Sequence, residues 1–502
     1  MMTPALRSFS VHVFAAMALT LAAARAQCTY TWPSNLAGGC DGTVAALVRL
    51  PNNDLVAGGA FANAGGVPCA RIARWNGAWS PLGSGMDADV RALLGLGNGD
   101  LVAGGTFATA GGIAANCIAR WNGGAWNALG NGIDPTLPFG SAVQALAALP
   151  NGDLVAGGSF AAASGVPAAN VARWNGTSWS ALGSGCNNTV KALAVLPNGD
   201  LIATGAFTTA GGVLCNGIAR WSGGAWSALG TGLGVFGGTS LAVLPNGDLV
   251  VGGTFVTAGG AAANRIARWN GAWSALGTGL NGAATSLCTL ANGDVLAGGQ
   301  FTTAGGAAAN NVAKWNGAAW APLAGGTNGT VNELVQLATG AVVAAGEFTS
   351  ANGAAAGRIA RIDSSCAPTG AVLGAGCSGS GGLNVLAATS LPLLGGTFRA
   401  FGTGMPPIGL VLSVTGLSAT SLPLNLALPQ ALPGCTLYAS PDLIDVLIPV
   451  AGTASSALVF PNNPAILGVQ LFHQYVPLEL DLAFNITAVT ASNALQLTVG
   501  SF

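Results

Sequence analysis

Two histidines, at positions 12 and 473, are all the imidazole that this 502-residue chain carries, and the first lies in an apolar leader. A Ser-His-Asp triad or a histidine zinc site therefore has almost nothing to start from. Carboxylates are the next resource. Outside the periodic aspartates described below, Asp87 with Asp89 and Glu333 with Glu347 are the pairs that two-carboxylate glycoside hydrolysis would use. Asp134 and Phe139 fall in an expanded segment, GIDPTLPFGS at residues 132–141, which is a candidate ligand-binding loop together with Asp87 and Asp89. No D-x-D-x-D-G run offers a calcium loop, and no Gly-rich string leads into the Lys-Ser/Thr of a phosphate loop. No metal and no cofactor are expected.

Seven cations recur at matched positions: Arg74, Arg120, Arg173, Arg220, Arg268, Lys314 and Arg361. Six aspartates recur ahead of them in an N-x-D motif, at Asp54, Asp100, Asp153, Asp200, Asp248 and Asp294, with spacings of 46, 53, 47, 48 and 46. A periodic charge with a periodic partner serves the fold, so one Asp–Arg pair per repeat is expected. Ala341 stands where the seventh Asp would be, and Glu347 is the expected substitute. A ring of guanidinium groups for anionic glycans is the functional alternative.

These positions belong to units of four short β-type runs, typified by residues 143–149, 153–160, 170–174 and 179–182. Asn-Gly pairs mark the hairpin turns because both central residues need positive φ. Four antiparallel strands repeating every ~40–50 residues make one propeller blade. Seven copies predict a seven-bladed β-propeller. The seventh unit lacks its last strand, and TYTWPSNLAGG at residues 29–39 matches the missing piece. The N-terminal strand is therefore expected to close the ring, which removes an open edge.

Charge and composition narrow the function. With 16 Lys+Arg against 17 Asp+Glu the net charge is −1, and charged residues are 7% of the chain, against ~25% in ordinary domains. This excludes a basic nucleic-acid binder and a polybasic membrane-surface protein. At 51% hydrophobic, with 13 Trp, the chain is not of disordered composition.

Residues 1–26 read as a secretory signal peptide: Arg7, an apolar run too short to span a bilayer, then Ala24-Arg25-Ala26. The propeller is assigned to 27–366, a Gly-rich linker to 367–382, and an antiparallel β-sandwich to 383–502, where short apolar runs alternate with Pro, Gly and Ser. Export permits disulfides. Cys40 and Cys69 are 29 residues apart, as are Cys186 and Cys215 at equivalent positions, and both pairs are expected to bond. Cys28 with Cys366 would lock the ring, and Cys377 with Cys435 would staple the tail. Cys117 and Cys288 read as small buried residues.

The consensus F-T-x-A-G-G-x-x-A-N-x-I-A-R-W-N-G-x-x-W-x-x-L-G-x-G resembles the kelch-like propellers of fungal cortical polarity-marker proteins and their secreted bacterial relatives. Copper-oxidase members of the wider kelch superfamily need Tyr, His and Cys ligands. With three Tyr and one His beyond the leader, that activity is not implied. The tail is similar to a C-terminal module of secreted bacterial proteins, through GAGCSGSGG, PGC, PNNP and SNALQLTVG. Together these imply a secreted or cell-surface, non-catalytic scaffold, monomeric, that binds a surface glycan or protein. A carbohydrate-active hydrolase or lyase and a purely structural envelope protein are the alternatives.

Overall fold

The computed structural model describes residues 29–500 apart from 136–139, 235–236, 291–292, 366–368, 391, 395, 462 and 464–465. Tyr30–Ser364 form one compact unit, and the chain from Ser365 belongs to another.

The first unit contains seven four-stranded sheets, numbered here by the chain order of their inner strands a. In the first, strands a to d are Val44–Arg49, Leu55–Gly59, Ile72–Trp75 and Trp79–Pro81, all antiparallel. Neighbouring a strands pack in a ring that runs from the first sheet to the seventh and back to the first. In the seventh sheet the outermost strand is Thr29–Asn35, beside Ile359–Ser365. The chain is thus an all-β propeller that the N-terminal strand closes, as the repeat phase requires.

The first five residues of strand b are buried in every sheet, because both faces of the strand meet a neighbouring sheet. That is why it reads as a continuous apolar run without alternation. Its glycines allow the approach: a Cβ on Gly58 would lie 2.5 Å from Val90 Cγ1, and one on Gly104 would lie 2.4 Å from Val143 Cγ1.

The tryptophans of strands c and d pair within each of the first six sheets, with centroids 5.1 to 5.5 Å apart. The strand-d indole also reaches across to the preceding sheet. Its Nε1 donates to the Leu carbonyl of the last W-x-x-L segment, as in Trp126 to Leu82 and Trp226 to Leu182.

The segments between strands b and c are two-stranded ribbons such as Asn63–Ala64 with Val67–Pro68. Each packs on the linker that enters its sheet, through isolated bridges such as Cys40 to Ala64 and Met86 to Ala110.

In the second unit a six-stranded antiparallel sheet includes Gly409–Gly416, Gln470–Leu480 and Ala494–Thr498. A three-stranded sheet runs through Val385–Ala388, Thr397–Thr403 and Thr453–Val459. Phe398 and Ala400 of the smaller sheet share a core with Val411, Tyr475 and Leu497 of the larger. The Gly-rich segment 367–382 is not a free linker. Thr369–Leu373 pairs residue by residue with Ala494–Thr498 as an edge strand. Cys377 is then bonded to Cys435 and held by its N–H on Ala491 O. Glycine here supplies tight turns rather than slack.

Candidate functional site

The repeat charges pair as the spacing predicts. Asp54, Asp153 and Asp248 pair with Arg74, Arg173 and Arg268. Asp100 lies 2.5 Å from Arg120, Asp294 3.3 Å from Lys314, and Asp200 3.8 Å from Arg220. In the first five motifs the Asn holds its own Asp, as Asn52 Nδ2 donates to Asp54 Oδ2 at 2.8 Å. The seventh sheet departs from expectation: Arg361 donates to Asp363 at 2.5 Å. Glu347 is exposed, and its N–H donates to Thr330 O. Asp363 lies two residues along the same strand, a nearer partner than one on strand b.

The acids singled out as ligand-binding candidates are tied into the fold at the linker end of the ring. Asp87 Oδ1 accepts the N–H groups of Ala108 and Thr109 at 2.9 and 3.0 Å. Burial opposes ionisation of Asp87, but those N–H groups prevail and hold its carboxyl below the usual range. Asp41, Asn187, Asn281 and Asn328 do the same work in other sheets. Asp87 is therefore a cap on the ribbon. Asp134 takes the related role in the third sheet, accepting from Gly165 N–H at 2.8 Å. Asp89 lies 3.7 Å from Arg71. Phe139 lies outside the described residues.

Glu333, on the inner strand of the seventh sheet, accepts from Ser286 Oγ at 3.0 Å and from Leu334 N–H at 3.3 Å. Burial pushes its carboxyl up to about 7. Asp87, Asp89 and Glu333 thus each meet a different partner within the fold. Among the described residues no group of three His, Cys, Asp or Glu side chains is arranged to hold a metal ion.

The cysteines correct one expectation and fulfil another. Cys377–Cys435 is a disulfide. Cys40, Cys69, Cys186 and Cys215 are free buried thiols, not the two disulfides expected. They take the positions that Met86 with Ala115 and Ile133 with Ala168 occupy in the cores of other sheets. The matched spacing therefore reports apolar packing, for which Cys is a small hydrophobe. Burial pushes the Cys40 and Cys186 thiols up to about 12. Cys28 and Cys366 lie outside the described residues.

His473 is fully buried, between Thr415 Oγ1 on Nδ1 and Ser456 Oγ on Nε2, each at 2.8 Å. Burial lowers its pKa to about 4, so it stays neutral and joins the two sheets of the second unit. This is a structural histidine.

One feature has no signature in the repeat consensus. Every inner strand carries a bulge at its second or third residue against strand b, leaving Ala45, Arg91, Gln144, Lys191, Thr239, Thr285 and Asn332 out of the ladder. Extra residues of this kind re-aim side chains. The position varies in type from repeat to repeat, which hides it from a search for periodicity.

The family model for a β-propeller domain of unknown function, DUF5122, matches residues 244–274 and 337–365. No curated protein matches. Among solved structures the chain is similar to the WD40 β-propeller domain of Doa1, at 14% identity and TM-score 0.43, over 67% of this chain and 97% of that one. It is also similar to the extracellular domain of a putative hybrid two-component system from B. thetaiotaomicron, at 11% identity and TM-score 0.42. That match covers 95% of this chain and 59% of the other. The family match agrees with the seven sheets on one point, that the first unit is a β-propeller.

Proposed function

We propose that the chain is an exported, non-catalytic binding module whose propeller engages a glycan or a protein at the cell surface. The observation that carries this reading is how the carboxylates are used. The repeat aspartates, Asp87, Asp134 and Glu333 are each held by a partner within the fold. What the ring offers a ligand is a rigid surface of linkers and ribbons, with an inner ring of re-aimed side chains. Kelch-like ancestry for the propeller and a surface-associated sandwich module for the tail accord with this role. The leader at residues 1–26 and the Cys377–Cys435 bond support an extracellular location. No helix of the described residues is long and apolar enough to cross a membrane. The test is retention of the purified chain on arrays of surface glycans and on intact cells. Retention without any ligand cleavage supports the reading, and absence of retention on both overturns it.

A further inference from the structure

Six of the seven bulged residues of the inner strands fall into two arcs of different chemistry, and the seventh is Ala45. Thr239, Thr285 and Asn332 each donate from their side chains to an inner-strand carbonyl of the next sheet around. Their acceptors are Ala284 O at 2.7 Å, Val331 O at 2.6 Å and Val44 O at 3.1 Å. These bonds knit that side of the ring and close it onto the first sheet.

The second, third and fourth sheets place Arg91, Gln144 and Lys191 at the same position, on inner strands that touch in that order. The residues beside them, Val90, Val143 and Val190, are fully buried. Arg91 is nonetheless exposed, and Gln144 and Lys191 are half-buried. Adjoining sheets cover both faces of an inner strand, so exposure here is to the lumen of the ring. Among the described residues none of these three side chains has a hydrogen-bond or ion-pair partner, and Asp89, two residues from Arg91, lies against Arg71 instead. No bulge position carries an acid.

Arg91 lies near the Cys117 thiol of its own sheet. Burial pushes the Cys117 thiol up to about 11 while the Arg91 charge pulls against it. Cys117 Sγ contacts Ser141 O, just ahead of the third inner strand.

The two cations that flank this amide donor have no ion-pair partner among the described residues. An oxyanion supplies one: guanidinium grips a carboxylate or sulfate in bidentate fashion, and ammonium and amide N–H groups satisfy the remaining lone pairs. We propose that Arg91, Gln144 and Lys191 form an arc within the ring that binds the carboxylate or sulfate group of the ligand. This rests on the reading of the chain as a binding module, and it gives the ligand of that module its charge.

The experiment is calorimetric titration of the full chain at low ionic strength with inorganic sulfate, trigalacturonate and neutral galactotriose. Trigalacturonate binds and galactotriose does not. Arg91→Gln weakens binding about tenfold and Lys191→Gln about tenfold again, the scale of one charged hydrogen bond each. Added salt weakens it further. Unchanged melting temperatures show that both variants fold. Equal affinity for the neutral sugar, undiminished binding by both variants, or no binding of either anion overturns the arc. That failure leaves the binding-module reading to stand on its array ligand. Conversely, Arg91-dependent sulfate binding with no glycan or protein retained on arrays or cells sustains the arc and overturns the broader reading.

Discussion

Trp79 Nε1 donates a 2.8 Å hydrogen bond to the carbonyl of Leu36, 43 residues earlier in the chain. Leu36 directly follows the closing strand Thr29–Asn35, so this one bond ties the first sheet to the seventh. Trp126, Trp179, Trp226, Trp273 and Trp320 repeat the bond around the ring at 2.8 or 2.9 Å. Trp32 of the closing strand breaks the pattern, since its buried Nε1 has no partner.

Trp79→Phe is therefore expected to cost about 1–2 kcal/mol, through the loss of a buried hydrogen bond and an orphaned carbonyl. Trp32→Phe is expected to cost less, because no such bond is lost. Thermal unfolding of the two variants side by side checks the difference. Equal losses would show that indole packing, not the bond, secures closure.

A second relationship concerns size. Gly58, Gly104, Gly157 and Gly298 each lie under a valine of the next inner strand. In the fourth and fifth sheets the order is reversed. Thr204 replaces the glycine and Gly238 the valine, where an added Cβ would meet Thr204 Oγ1 at 2.3 Å and Val251 Cγ1 at 2.8 Å. Thr204 Oγ1 also bonds Gly217 O and accepts Gly238 N–H. Gly238→Val alone is expected to destabilise by about 1–3 kcal/mol through overpacking. Thr204→Gly/Gly238→Val/Val251→Ala together should restore the arrangement of the other sheets and recover most of the loss. Denaturant midpoints of the single and triple variants decide it, and a triple variant no better than the single would refute the swap.

These particulars show how far the sequence can be read. The period, the strand-closing role of residues 29–35 and the Asp–Arg pairs are legible because each recurs, so phase alone locates it. The bulge residues and the Thr204–Gly238 exchange are not legible, because both are deviations whose meaning depends on which neighbour they touch. Cys40 with Cys69 misled for the opposite reason. Its repetition at Cys186 with Cys215 marks a shared packing position, and spacing does not distinguish packing from bonding. Asp87 is not legible as a cap, because the ribbon that supplies its N–H partners leaves no periodic signal.

The ion pairs are unequal. Arg120 is about 39% exposed in its pair with Asp100, whereas Lys314 and Asp294 are 10% and 2% exposed. Lys314 Nζ also lies 5.0 Å from the centre of the Tyr30 ring on the closing strand. Lys314→Met is expected to cost about 3 kcal/mol or more, as breaking a buried pair does. Arg120→Met should cost under about 1 kcal/mol. Chemical denaturation of both variants tests this, and similar costs would contradict it.

Glu333 in the first unit and His473 in the second act on stability in opposite senses. Glu333 is raised to about 7 in the folded chain, so its contribution is complete below about pH 4.5 and is lost as pH rises toward 7. His473 is lowered to about 4, so its contribution is complete above about pH 6.5 and is lost as pH falls toward 4. Glu333→Gln is expected to flatten the alkaline-side decline of the propeller transition, and His473→Gln the acid-side decline of the second transition. Calorimetry across pH 4–8 reads both, and slopes unchanged by the substitutions would contradict the assignment.

Binding without turnover is the centre of this account, and one incubation tests it most directly. The full chain is mixed with a panel of acidic and neutral polysaccharides, and both retained polymer and released reducing ends are measured. The account predicts retention of an acidic polymer, with product no higher than in the protein-free control. Release of reducing or unsaturated ends that disappears in Asp87→Asn or Glu333→Gln would contradict it and make the propeller an enzyme.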